Sequence, residues 1–303
     1  MWVQGYEPWV SYPSLLLGRK GSREIFLHVC EAADDAPWRS ERLTTPQLLE
    51  REWTRGKRVS PMFSVFGIFN HLFKCDWMHC ADQGIAADFL GNLFAYLVDH
   101  IMEGATKDIR CGVLAVHIET YYDANGVEDR LKEFLPKTYA PEKSTRPPRL
   151  KGNAATIRAL VPFGAHMAQQ FLSDADPIQM AMKTAARHLH NCYNSLHARH
   201  EAFSHAALYD SSKQFAIQYG ALWAAHGHDV AWRPMPKMHL FLELCSAATE
   251  PQKFWNYRDE DFGGTVSRQC RMKGCWKKFA AFCKHALDLF KFKNQAPRIV
   301  EAE

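Results

Sequence analysis

Lys74-Cys75-Asp76-Trp77-Met78-His79-Cys80-Ala81-Asp82-Gln83-Gly84 runs straight into an apolar stretch with helical period. Ile85, Phe89, Leu93, Leu97 and Ile101 fall at four-residue steps, and Phe94 and Val98 widen the stripe. That spacing predicts a mostly buried helix, with Asp82 placed to cap its start. Just ahead of it, Asp76 and His79 stand three residues apart. On a loop or an opening helical turn, both side chains then point the same way. A carboxylate hard against a buried helix must be paired, hydrogen-bonded or metal-bound. Two readings of Asp76 stay open: a structural cap, or a ligand for a divalent cation with His79 orienting it.

Upstream, Pro8, Pro13, Gly18, Gly21 and Pro37 punctuate an irregular segment over residues 1–45. One short strand is expected at Glu24-Ile25-Phe26-Leu27-His28-Val29-Cys30. Thr44-Thr45-Pro46 reads as a helix start, a hydroxyl cap followed by proline at the first helical position. Ser60 to Phe69 is an apolar, extended approach to Asp76.

Downstream, Asp123-Ala124-Asn125-Gly126 is a turn signal, and the basic, proline-rich run Pro141–Gly152 reads as a loop or hinge. From Asn153 to His228 the chain predicts three helical segments, broken near Ser173–Pro177 and near Tyr209–Ser212. Met238 to Ala248 predicts another helix, on which His239 and Glu243 share a face as a salt bridge or a supporting pair behind a metal ligand. The last helix carries Trp276, Phe279, Cys283, Ala286 and Phe290 on one side and Lys277, Lys278, Lys284 and Lys291 on the other. That pattern fits a core-packing helix with a solvated lysine face, or a face touching phosphates.

A second acidic constellation is Tyr257-Arg258-Asp259-Glu260-Asp261-Phe262-Gly263-Gly264. Repulsion among three consecutive acids falls when one binds a metal or pairs with Arg258; the alternative is an exposed acidic turn. Cys75, His79 and Cys80, and separately Cys270, Cys275, Cys283 and His285, lack the paired spacing of a zinc site. The histidines at 188, 190, 197, 200 and 205 cover several helix faces and receive no ligand role. No phosphate-binding glycine loop, nucleophile elbow or His-Glu-x-x-His motif occurs.

The 303 residues, 47% hydrophobic and 23% charged, can bury a substantial core, which excludes a wholly disordered chain. The net charge of +4 is too small to imply a nucleic-acid partner by itself. Its distribution says more. Arg268, Arg271, Lys273, Lys277, Lys278 and Lys284 crowd one stretch, a local positive field suited to DNA. Nine scattered cysteines predict reduced thiols in a nuclear or cytosolic setting. The N-terminus has no signal-peptide pattern, so secretion is not expected. No run of about 18 apolar residues occurs, so no membrane partner is expected.

The order of motifs resembles a central block of CACTA-type (En/Spm-like) transposases. Ser60-Pro61-Met62-Phe63, then Cys75-Asp76-Trp77-Met78-His79, then Leu90-Gly91 follow that family's "SPLF … DPMH … LGV" pattern. Lys237-Met238-His239 … Glu243 and Trp255–Gly264 resemble its closing block, an "H-x-x-x-H" helix before an "RW-x-Y-P-x-E-R-x-x-G" element. The resemblance covers about residues 50–275. Trp77 stands where the family has proline, and Glu243 where it has histidine.

The resemblance implies a mainly α (α+β) chain. An incomplete RNase H-like core over 46–265 would be interrupted by a helical insertion at about 85–235, with 266–303 a basic amphipathic helix and tail. It implies Asp76 and Glu260 as catalytic, metal-holding acids, His79 as companion, and magnesium or manganese as cofactor. The first acid of such a triad has no clear counterpart; Asp34 and Asp35 match by type alone. The chain therefore resembles the C-terminal part of a catalytic region, truncated or domesticated. The expected function is transposase-derived DNA binding, with residual metal-dependent strand cleavage or transfer and self-association. The alternative is a non-catalytic helical interaction module, with the same acids serving as caps and ion pairs.

Overall fold

The structure is a computed structural model that describes residues 44–54, 63, 65–66, 75–140, 146–196, 203–227, 230–246, 250–253, 255–257 and 263–264. Among the described residues the chain is mainly helical and contains no strand. The strand expected at 24–30, most of the 60–69 approach, and Asp34 and Asp35 lie outside them. Described residues up to Trp255 belong to one compact unit; Asn256, Tyr257, Gly263 and Gly264 belong to a second.

The helices are α1 (Thr45–Thr54), α2 (Ala87–Tyr96), α3 (Lys107–Asn125), α4 (Pro136–Tyr139), α5 (Ala154–Phe171), α6 (Pro177–Leu196), α7 (His205–Ala225) and α8 (Pro236–Ser246). Two π-helical segments, Met78–Ala86 and Leu97–Ile101, extend α2 at either end. The result is one uninterrupted rod through the middle of the first unit.

Most of the rod is buried because apolar residues recur on nearly every side of it up to Val98. Ile85, Phe89, Leu93, Leu97, Phe94 and Val98 are all buried, and Ile101 is partly so. α5 and α8 pack on the Met78–Ala86 segment, α4 and α5 on α2, and α3 on the Leu97–Ile101 segment. Outside this layer α6 packs along both α5 and α7. Aromatic edges knit the layers. Phe89 meets Phe215 at 5.5 Å and Trp232 at 5.7 Å, and Phe94 meets Phe163 at 5.8 Å. Edge-to-face pairs of this kind add about 1 kcal/mol each beyond area burial.

Local chemistry sets the ends. Thr44 donates its N–H and hydroxyl to Gln47 Oε1 at the expected start of α1. Thr106, Asn153 and Ser204 cap α3, α5 and α7 by accepting from Ile109, Thr156 and Ala207 N–H, the usual use of short oxygen side chains at a helix start. Asp176 Oδ1 takes the N–H of Ile178 ahead of Pro177-led α6, so the break expected at Ser173–Pro177 is present.

Other expectations need correction. Asp82 does not cap a helix; it lies inside the π segment and is fully buried. Tyr209–Ser212 is no break, because α7 runs through it with Ser211 and Ser212 buried; Ser212 Oγ donates to Tyr209 carbonyl oxygen inside the helix. Polar residues facing inward had the look of a loop. Asp123–Asn125 is the last turn of α3, and the reversal belongs to Gly126 alone, at φ +59°. Glycine adopts that left-handed geometry without a Cβ clash.

The described part of the proline-rich segment is irregular, as expected of a loop, and is fastened to α2 and α4 like a clamp. Arg149 and Lys151 N–H donate to Tyr139 and Thr138 carbonyls of α4, and Leu150 N–H donates to Ala87 carbonyl of α2. Asn92 adds Nδ2 donations to Asp88 and Pro148 carbonyls and accepts Trp232 N–H at 3.0 Å. The clamp lies so close to α2 that a Cβ on Gly91 would stand 2.4 Å from Arg149 Cα. Trp232, at φ +58°, holds a left-handed conformation that its burial between Phe89 and Tyr219 offsets.

Candidate functional site

Asp76 sits where the chain enters the rod, and its backbone carbonyl accepts Cys80 N–H. Its Oδ2 accepts His79 N–H at 2.8 Å and stands 2.6 Å from His79 Nδ1. The three-residue spacing therefore does bring acid and imidazole together, and the same carboxylate caps the helix start. A neutral ring that donates Nδ1–H to the carboxylate carries its lone pair on Nε2. The His79 side chain is 34% exposed and that of Asp76 14%, so the pair lies at the protein surface and not in the core.

Beneath it lies an aromatic floor. Trp77 is fully buried, edge-on to Tyr193 of α6 at 5.5 Å and tilted against Phe241 of α8 at 5.8 Å. Further along the same segment Asp82 Oδ1 accepts the Tyr193 hydroxyl proton at 2.6 Å. Burial pushes the Asp82 carboxyl up to about 7, opposed by the Tyr193 hydrogen bond and by the positive charge of Arg158 on α5, and aided by the negative charge of Asp76. Burial and the neighbouring Asp82 raise the Tyr193 hydroxyl as well. Arg158 is steered by Trp255, its guanidinium 4.9 Å from the ring centre. A nine-residue π segment is unusual, and π turns recur at functional sites.

α8 closes the other side. His239 is buried and Glu243 partly buried one turn later. Glu243 and Asp76 both raise the Cys75 thiol, after a hydrogen bond with Cys80 and burial. The expected supporting pair thus lies on a helix packed against the Asp76 segment, and the field of Glu243 reaches the residue next to Asp76. Lys237 Nζ donates to Gln83 carbonyl at 2.8 Å. Burial and then the like charge of Arg149 lower its ammonium pKa. Arg149 binds Asp88 Oδ1 at 2.6 Å and also Gln83 carbonyl.

Asp76 and His79 offer a carboxylate and an imidazole, donors suited to manganese and, for the carboxylate, to magnesium. Among the described residues no three His, Cys, Asp or Glu side chains gather into a metal-holding group. Any ion at Asp76 therefore needs a further ligand. Glu260, the expected one, lies outside the described residues, as do Arg268, Arg271, Lys273, Lys277, Lys278 and Lys284. Cys75, His79 and Cys80, which lack zinc spacing in the sequence, form no such group among the described residues. Asp82, Tyr193 and Arg158 were missed in the sequence. Asp82 and Tyr193 are 111 positions apart, and no local pattern links them.

No family model, curated protein or solved structure matches this chain. No described helix is long and apolar enough to cross a membrane.

Proposed function

We propose that the chain is a transposase-derived DNA-binding protein of RNase H-like (α+β) ancestry. In this reading Asp76 and Glu260 hold a magnesium or manganese ion, and His79 orients Asp76. One observation carries the proposal. Among the described residues between Asp76 and Trp255 the regular structure is all helix, packed around one core, where the resemblance puts a helical insertion between two catalytic acids. When bound, the metal supplies activation of water or a 3′-hydroxyl and stabilises the leaving oxygen of a phosphodiester. The chain's own work is positional. The His79 imidazole and amide fix the Asp76 carboxylate, Trp77 anchors that turn in the aromatic floor, and His239 and Glu243 back it from α8. Arg268, Arg271, Lys273, Lys277, Lys278 and Lys284 contact the DNA backbone. Nuclear residence and self-association belong to the same reading.

The test is nicking of supercoiled plasmid in magnesium or manganese by the full chain. Asp76→Asn keeps a good capping side chain and removes the charge, so nicking should fall at least tenfold while thermal stability holds. Unchanged nicking in Asp76→Asn would remove Asp76 from the chemistry.

The hydrogen bond from His79 N–H to the Asp76 carboxylate favours a second reading, a non-catalytic helical interaction module in which Asp76 is a cap. It predicts no metal-dependent nicking, and a loss of about 1 kcal/mol in stability for Asp76→Ala with little for Asp76→Asn.

A further inference from the structure

A cavity of about 480 Å³ opens between the α3–α4 connection, α4 and the start of α5. Among the described residues four cations line it, Arg130 and Lys132 from the connection, Lys137 from α4 and Lys151 from the clamp, with Glu133 as the one acid. Two of the four are already engaged. Arg130 pairs with Asp123 at 2.7 Å, and Lys137 with Glu133 at 2.8 Å. Lys132 and Lys151 are exposed and have no carboxylate partner among the described residues. Clustering like charges around a concavity without enough counter-charge is unfavourable until an anion enters.

Hydrogen bonds tie the frame together. Lys151 N–H donates to Thr138 carbonyl at 2.7 Å, and Leu131 N–H to the Tyr122 hydroxyl at 3.2 Å. Arg130 is held over the Tyr122 ring and donates Nε–H to Val127 carbonyl at 2.8 Å. The start of α5 adds little, since Asn153 already takes the Thr156 N–H. The lysines carry the case. Among the described residues the lining offers cations and no aromatic ring to stack a base, which favours phosphate as the recognised group.

We propose that this cavity is a phosphate-binding site, with Lys132 and Lys151 as the principal contacts and Arg130 held beside them. It shares no residue with the Asp76 site or with the C-terminal basic stretch. The phosphate has two sources with the same chemistry, a nucleic-acid strand or a free phosphorylated compound.

The test is calorimetric titration of the full chain with inorganic pyrophosphate, beside a short DNA duplex measured at several salt concentrations. Lys132→Ala/Lys151→Ala should weaken pyrophosphate binding at least tenfold without moving the thermal midpoint, as both side chains are exposed. Glu133→Gln should tighten it about threefold, and Arg187→Glu, a charge change on α6, should leave it unaltered. Asp76→Asn should also leave it unaltered, which separates this site from the metal reading. If the double variant loses DNA affinity in parallel, with a salt slope lower by about two contacts, the phosphate is a strand phosphate. If DNA affinity is untouched, it is a free compound. Absence of saturable pyrophosphate binding, or equal binding by the double variant, would overturn the site.

Discussion

Asp82→Asn tests the buried acid directly. The native carboxyl titrates near 7 and the unfolded one near 3.8. Between those values the folded protein holds a proton that the unfolded chain has released. Stability from this group is therefore complete below pH 3.8, falls as pH rises, and is fully lost above 7. The slope is about 1.4 kcal/mol per pH unit, and the total is about 4 kcal/mol over the 3.8-to-7 interval. Asparagine has the same shape, keeps an oxygen for the Tyr193 hydroxyl and cannot ionise. Urea unfolding followed by tryptophan fluorescence, from pH 4 to pH 8, gives the variant-minus-wild-type difference at each pH. Groups common to both proteins cancel in it. The difference should rise by about 4 kcal/mol in favour of Asp82→Asn across that range. A difference that stays flat with pH would show that Asp82 is ionised in the fold, and would refute the reasoning.

Gly91→Ala puts a Cβ 2.4 Å from Arg149 Cα, against backbone that cannot rotate away. It should cost about 2–3 kcal/mol, read as a lowered midpoint in thermal unfolding, with no change in metal binding. Arg149→Met strands the Asp88 carboxylate, whose side chain is 5% exposed. The expected loss is about 2 kcal/mol, below the usual range for a broken buried pair because Arg149 itself is 43% exposed. Adding Asp88→Asn should restore most of that loss. Equal loss in the double variant would show that Arg149 acts through packing alone.

The rod was legible because its apolar period runs from Ile85 to Ile101, and only Asp82, Asp88 and Asn92 among its polar residues are buried. Those three are what a period cannot explain. Asp88 and Asn92 serve the clamp and the Trp232 loop, partners 56 to 140 positions away, and Asp82 serves Tyr193. A buried polar residue announces that a partner exists and says nothing of where it is. The Asp76–His79 contact was legible because it is local, set by a spacing of three at a helix start. The turn signal at 123–126 marked the reversal at Gly126, whereas the one at 209–212 misled. Asp, Asn and Ser favour both turns and helix ends, and only tertiary burial distinguishes an inward-facing Ser212 from a loop serine. The shift from α to π winding at Met78–Ala86 leaves no mark in residue type.

The central claim is that Asp76 and Glu260 converge on one cation. Titration of the full chain with manganese, read by electron paramagnetic resonance, tests it most directly. One site should bind in the wild type and be lost to the same degree in Asp76→Asn, in Glu260→Gln and in the double variant, since two ligands of one ion are not additive. Wild-type-like manganese binding in either single variant would contradict it.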